Sequence, residues 1–196
     1  MKQQRALRTY QQTLDAASQE FIQQGYARAT MAGVMARTEL TKGALYGHFR
    51  SKEAVAAALV AHGAEACAQV LAEAAAGADD AVAALLTAAL TLSRRLRSDP
   101  RVRAALRLAT EPAAEVPGGA ALLASIHGFL LEHAGHARRA GRLPAEHTPA
   151  TVADLLLAVL LGYEQLPGST KPAESDADLD EAWRLLARAL LLTGPD

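Results

Sequence analysis

The sequence predicts an all-α fold. Alanine and leucine dominate it, aromatic residues make up 4% of it, and its apolar residues recur at helical spacing without the alternating Val, Ile and Thr of strands. With 196 residues and a hydrophobic content of 51%, the chain can bury a sizeable core, either as one large domain or as a small domain joined to a larger one.

Each expected helix has a start or stop signal. Leu7, Leu14, Ala17, Phe21 and Ile22 share one face of a helix over residues 5–24, which Gly25 is expected to end. Thr30 is placed to cap a short second helix over 31–38, although Gly33 at the third helical position denies it the reciprocal glutamate of a capping box. Thr41 starts a third helix running to about His48, and Ser51 a fourth that continues through Ala, Val and Leu to about Ala76. Further helices are expected near 79–98, 100–110, 118–141, 148–166 and 176–193, punctuated by Pro112, Pro117-Gly118-Gly119, Pro144 and Pro167-Gly168. Pro100 and Pro149 suit a first helical turn.

The net charge of −1 hides a split. Residues 1–52 carry eight cationic side chains (Lys2, Arg5, Arg8, Arg28, Arg37, Lys42, Arg50, Lys52) against Asp15, Glu20 and Glu39, a net +5, which leaves −6 for the remainder. A basic head on an acidic body suggests different partners for each, a polyanion for the head. We divide the chain into a head, 1–50, and a body, 51–196. The single Cys67 excludes an intrachain disulfide, and no signal-peptide pattern precedes the first helix, so a cytoplasmic protein is expected. The apolar window 152–163 is interrupted by Asp154 and too short to span a bilayer, so no membrane association is expected.

Two short helices across a tight turn make a helix-turn-helix pattern. In the stretch TKGALYGHFRSKE, residues 41–53, Thr41, Lys42 and the helix N-terminus suit phosphates, and small Gly43 and Ala44 let the backbone approach a duplex. Tyr46 and His48 can hydrogen-bond phosphates or base edges, while Leu45 and Phe49, four apart, face inward. Arg5, Arg8, Arg28, Thr30 and Lys52 complete the candidate DNA-binding set. The competing interpretation is a short, merely solvated surface helix; the clustered charge and the long helix that follows favour DNA.

AASQEFIQQGYARAT and TKGALYGHFRSKEAV, with their G-Y-x-x-A-T and K-G-A-L-Y-x-H-F-x-S-K-E patterns, resemble the N-terminal domain of the TetR family of transcriptional regulators. The resemblance implies a TetR-like all-α homodimer, with a three-helix DNA-binding head and a larger C-terminal domain for a small ligand and for dimerisation. Ligand binding would then move the two heads apart and release a palindromic operator. SDPRVRAALRLATE, LLGYEQLPGST and DLDEAWRLLARALL resemble the γ-butyrolactone receptors of antibiotic-producing actinobacteria, which implies a small apolar effector. Two departures stand out. Thr38, Glu39 and Leu40 occupy a turn that is usually Ala-Gly plus an apolar residue, which puts a negative charge close to DNA. Leu122, Leu123 and Ala124 stand where those receptors commonly carry a tryptophan, so a pseudo-receptor answering to an antibiotic or other ligand is the alternative, as is a ligand- or partner-binding module with a weakened head.

In the body, apolar walls and a few polar groups suitable for a pocket are offered by Leu106, Leu108, Thr110, Leu123, Ile126, His127, Leu130, Leu160, Tyr163 and Glu164, although each leucine also suits plain core. His62 joins them from the helix that leads to the head. The apolar stripes Val152, Leu155, Leu156, Val159, Leu160, Tyr163 and Leu179, Trp183, Leu186, Ala187, Leu190 exceed the need of one protomer and suggest a four-helix dimer interface. Its candidate residues are Val152, Leu156, Val159, Tyr163, Leu179, Trp183, Leu186 and Leu190. His133 and His136 beside Glu132 have a spacing compatible with a metal but suit a solvated helix end better. No nucleophile elbow, phosphate-binding glycine loop or metalloprotease motif is present, so neither an enzyme nor a cofactor is expected.

Overall fold

A computed structural model describes residues 2–112, 114–163 and 175–190. The described residues are helical in nine segments: α1 (Lys2–Arg28), α2 (Met31–Ala36), α3 (Lys42–His48), α4 (Lys52–Gly77), α5 (Ala81–Ser98), α6 (Pro100–Thr110), α7 (Gly119–Arg139), α8 (Pro149–Tyr163) and α9 (Ser175–Leu190). The expected stretch 164–174 and the end of the last helix lie outside the described residues. The chain forms two compact units, one of residues 1–66 and 99–123, the other of residues 67–98 and 124–196, so that α4 and α7 contribute to both.

The first unit is built on α1, whose most extensive partner is α6. Leu14, Ala16, Ala17 and Phe21 bury one face of α1, and Val102, Ala104, Ala105, Leu106 and Leu108 bury one face of α6. The buried Thr13 and Ser18 hydroxyls donate to the carbonyls of Thr9 and Asp15 one turn back, so they enter the core already hydrogen-bonded. Gly25 does not end α1. It adopts a left-handed φ of 70°, kinks the helix, and the chain turns helically again through Arg28. The backbone N–H groups of Tyr26 and Ala27 that this kink frees donate to the Glu111 carboxylate at the end of α6, at 2.8 and 3.4 Å. At the other end of α6, the Arg101 guanidinium reaches Asp15 at 2.7 Å, the Gln11 side chain, and the Gln11 carbonyl at 3.1 Å. Asp99 caps α6 ahead of Pro100, accepting from the N–H groups of Arg101 and Val102. On α4, Gly63 lies so close to Ala105 that a Cβ would fall 2.3 Å from its methyl carbon, so this helix crossing depends on a residue without a side chain.

The second unit packs α5 against α9 and α8. Val82, Leu85, Ala88, Ala89, Leu92 and Leu96 form the buried face of α5, and Ile126, Leu130, Ala134 and Ala137 that of α7. Trp183 is 4% exposed and its Nε1–H donates to the buried Ser93 hydroxyl at 3.1 Å, which satisfies both polar groups inside the protomer. Val152, Leu156 and Leu179 are buried here as well, so four of the residues expected at a dimer interface already fill this unit's own core. Leu155, 43% exposed, and Leu185, 56% exposed, lie on the outer faces of α8 and α9; Val159, Leu186 and Leu190 are half-buried. Arg94 pairs with Asp180 at 2.8 Å and ties α5 to α9.

By length and composition α4 is long and apolar enough to cross a membrane. Val55, Ala56, Leu59, Val60, Cys67, Val70 and Leu71 along it are buried by protein. Burial pushes the Cys67 thiol up to about 11. At pH 8 the thiolate fraction is then about one in a thousand, against roughly a quarter for a free cysteine. Alkylation of the folded protein by a maleimide or iodoacetamide is expected to run at least a hundredfold slower than in urea; equal rates would show the thiol to be accessible.

Candidate nucleic-acid interface

The helix-turn-helix is positioned by one buried carboxylate. Glu20 on α1 is 5% exposed; its Oε2 accepts from Arg37 Nε at 2.9 Å and its Oε1 accepts from the backbone N–H of Thr30 at 3.4 Å. Thr30 is the N-cap of α2 and its hydroxyl accepts from Gly33 N–H at 2.9 Å. The reciprocal glutamate that α2 lacks is therefore supplied by α1. Gly33 makes the room: a Cβ there would fall 2.1 Å from Glu20 Oε1. Arg37 also donates to Gln23 at 2.8 Å, which binds the end of α2 to α1 a second time.

The turn between α2 and α3 closes through a hydroxyl. Thr38 Oγ1 donates to the Met35 carbonyl at 3.1 Å and accepts from Leu40 N–H at 3.3 Å. Among the described residues the only non-glycine with a positive φ is Glu115, so Glu39 sits in the turn without left-handed strain. Thr41 then caps α3, its hydroxyl accepting from Ala44 N–H at 3.3 Å. Leu45 and Phe49 are buried, and Phe49 stacks on Tyr10 of α1 with ring centroids 5.1 Å apart. The other face of α3 is open: Lys42, Gly43, Tyr46, Gly47 and His48 are exposed, and neither glycine has a neighbour within 4 Å of where a Cβ would sit. Lys42 lies over the Tyr46 ring at 5.9 Å, and the His48 ring meets Tyr10 edge-on at 6.3 Å.

Beside α3 runs a polar groove of about 630 Å³ lined by Arg5, Arg8, Thr9, Gln12 and Asp15 of α1, by Arg37 to Leu40, and by Thr41 and Ala44. Of the predicted DNA-binding residues, Arg5, Arg8, Thr41 and Ala44 share this groove, while Lys42, Gly43, Tyr46 and His48 occupy the open face of α3. Arg28 is exposed and its Nε donates to the Gln24 carbonyl, and Thr30 is exposed as a cap. Lys52 is different. Its ammonium donates to the Tyr26 carbonyl at 2.8 Å and lies 4.3 Å over the Tyr26 ring, fastening the start of α4 to the end of α1. The Tyr26 hydroxyl donates to Glu53 at 3.3 Å; burial first, and then the Glu53 carboxylate, pushes its pKa up. The Glu53 carboxyl is pushed down, first by its own backbone N–H and then by the Ser51 hydroxyl.

The predicted effector residues fall in both units. In the first, Leu106 is buried, Leu123 is half-buried, and the Thr110 hydroxyl is bonded to carbonyls of its own helix at 3.0 Å. His62 is half-buried with Nε2 3.7 Å from Asp99 Oδ2, too long for a hydrogen bond. In the second, Ile126, Leu130 and Leu160 are buried, and His127 Nε2 lies 2.9 Å from Asp154 Oδ1. The Tyr163 side chain and Glu164 lie outside the described residues. His133 bonds the Phe129 carbonyl and stacks on its ring, and no group of three or more metal-ligating side chains occurs among the described residues. Glu20, Arg101 and Glu111, which hold the unit together, were not singled out from the sequence; the missing glutamate opposite Thr30 was the one available signal for Glu20.

A three-helix head with a supported second helix and an open third is the arrangement of a helix-turn-helix domain. Residues 14–59 match the N-terminal domain of bacterial regulatory proteins of the tetR family. A stretch of 59 residues is 48% identical to the A-factor receptor protein of Streptomyces griseus; it takes in 30% of this chain and 21% of that protein, so the match spans about a fifth of the relative's length. Among solved structures, the TetR family protein CprB from S. coelicolor A3(2) superposes with a TM-score of 0.80 at 24% identity, over 96% of this chain and 91% of that one. A gamma-butyrolactone receptor described as ArpA-like superposes with a TM-score of 0.77 at 24% identity, over 95% and 90%. The head of the chain thus matches the N-terminal domain of tetR-family regulatory proteins, and the fold of the chain is like that of the TetR family protein CprB.

Two substitutions test the buried carboxylate. Glu20→Ala removes the acceptor of Arg37 Nε and of the Thr30 N–H and is expected to lower stability by about 2 kcal/mol in urea unfolding. Gly33→Ala would ordinarily stabilise a helix by up to about 1 kcal/mol, but here it displaces Glu20 and is expected to destabilise. A stabilised Gly33→Ala variant would overturn the packing described.

Proposed function

We propose that this protein is a ligand-responsive transcriptional repressor that binds a palindromic operator as a homodimer and is released by a small apolar effector of the γ-butyrolactone type. The observation that carries the DNA-binding part is the two-sided α3: buried Leu45 and Phe49 hold it, while Lys42, Tyr46 and His48 stand exposed around glycines with nothing near them. Such a helix enters a major groove with its small residues against the duplex, and Thr41, Arg5 and Arg8 hold the backbone beside it. The effector class is supported by the 48% identity to the A-factor receptor, which lies within the chain's 59 aligned residues, and by the fold likeness to a gamma-butyrolactone receptor. A pseudo-receptor answering to another ligand is the second reading, favoured by Leu122, Leu123 and Ala124 where a tryptophan is common.

Two heads reading a palindrome must fall one duplex turn apart, roughly 34 Å, or a multiple of it. The dimer contact of this reading lies on the exposed faces of α8 and α9, with Leu155 and Leu185 joined by the half-buried Val159, Leu186 and Leu190. Effector binding in the body favours a population whose head spacing mismatches the operator. Like other regulators of this kind, the protein works in the cytoplasm.

Operator affinity in mobility-shift assays is expected to fall steeply as salt rises, and Lys42→Ala to weaken binding across sequences while lowering the log–log salt slope by about 1 per protomer. Salt-insensitive binding, or none to the DNA upstream of its own gene, would count against a repressor. Leu155→Glu is expected to shift the protein to monomer in size-exclusion chromatography with light scattering and to weaken operator binding with it; an unchanged dimer would move the interface elsewhere. A γ-butyrolactone that binds but leaves operator affinity unchanged would remove that molecule as effector.

A further inference from the structure

We infer that Glu39 reads a base: its carboxylate accepts a hydrogen bond from the exocyclic amino group of a cytosine, at the edge of the half-site that α3 contacts. The inference rests on the DNA-binding reading above and adds a specificity-determining residue to it. Five charged residues line the groove beside α3, namely Arg5, Arg8, Asp15, Arg37 and Glu39. Asp15 is held by Arg101 at 2.7 Å and Arg37 by Glu20 at 2.9 Å. Arg5, Arg8 and Glu39 make no hydrogen bond or ion pair with the described residues. The groove thus offers a nucleic acid two open cations and one open anion.

The cations suit phosphates, and the anion repels them. Nothing in the turn requires a carboxylate at this position. Thr38 closes the turn with its own hydroxyl, residue 39 has no left-handed backbone to satisfy, and its side chain is exposed. What remains is an exposed carboxylate acceptor, two residues before the Thr41 cap, on the same groove as Thr41 and Ala44. Base edges in the major groove present two amino donors, cytosine N4 and adenine N6. Adenine N6 lies beside the N7 acceptor, whose lone pair opposes a carboxylate, so cytosine is the match. A glutamine, which both donates and accepts, would favour adenine instead.

The experiment is selection from a randomised duplex library with the full-length wild type, Glu39→Ala and Glu39→Gln, each checked by circular dichroism. The wild type is expected to enrich cytosine at one position per half-site, with about tenfold discrimination there. Glu39→Ala loses that preference and keeps the others, and Glu39→Gln moves it toward adenine. Replacing the selected cytosine by an analogue without the amino group weakens wild-type binding about tenfold and leaves Glu39→Ala unchanged. An unaltered profile with a uniform gain in affinity for Glu39→Ala would instead make Glu39 a plain repulsive charge, or a mask over Arg5 and Arg8, and would overturn the inference while the repressor reading stood. Failure of the wild type to enrich any sequence would overturn both.

Discussion

The helix-turn-helix depends on the Glu20 carboxylate. It is buried, and a buried charge is tolerable only when its acceptors are filled; Arg37 and the Thr30 N–H fill them from the two ends of α2. That single group therefore fixes both where α2 begins and where it ends relative to α1. The direction of α3 follows, because α3 is joined to α2 by a turn closed through Thr38 and is pinned to α1 through Leu45 and Phe49. Gly33 is the complement to Glu20, a position where the absence of a side chain is the structural requirement.

The same logic extends to α6. Gly25 kinks α1 and leaves backbone N–H groups unpaired, and the Glu111 carboxylate receives them; Arg101 answers at the other end of α6 with Asp15 and Gln11. A helix remote in sequence is thereby clasped at both ends to the first helix. The compact unit that carries the DNA-binding helices accordingly includes α6 and the first half of α4 along with α1 to α3. Gly63 against Ala105 brings α4 and α6 together within that unit at backbone distance.

The positive head is a sum of unlike parts. Arg37 and Lys52 are fastened to Glu20 and to Tyr26, and hold helices together; Arg5, Arg8 and Lys42 remain exposed and available to a polyanion. Net charge over the first 52 residues counts both kinds alike. The three-dimensional sorting also explains how an acidic residue can stand at Glu39 without spoiling the turn, since the backbone there is ordinary and the neighbouring acids are already paired.

Nearly all of the helices were legible in the sequence, because caps and breakers act locally: Thr30, Thr41, Ser51 and Asp99 accept from N–H groups two or three residues on, and Pro100 stands in a first turn. The exposed face of α3 was legible for the same reason, from the spacing of Lys42, Tyr46 and His48 around Leu45. Periodicity gives an apolar face but not what covers it. Trp183, Val152, Leu156 and Leu179 had the stripe of an interface, yet Ser93 and the neighbouring helices bury them within one protomer. The long-range ties, Glu20 to α2, Arg101 and Glu111 to α1, join residues 10 to 90 positions apart, and no local pattern encodes such a pairing. The sequence by itself determined the elements and the two-sided chemistry of α3; tertiary structure decided which charges are structural ties and which stay open, because an ion pair exists only once packing has brought its two halves together.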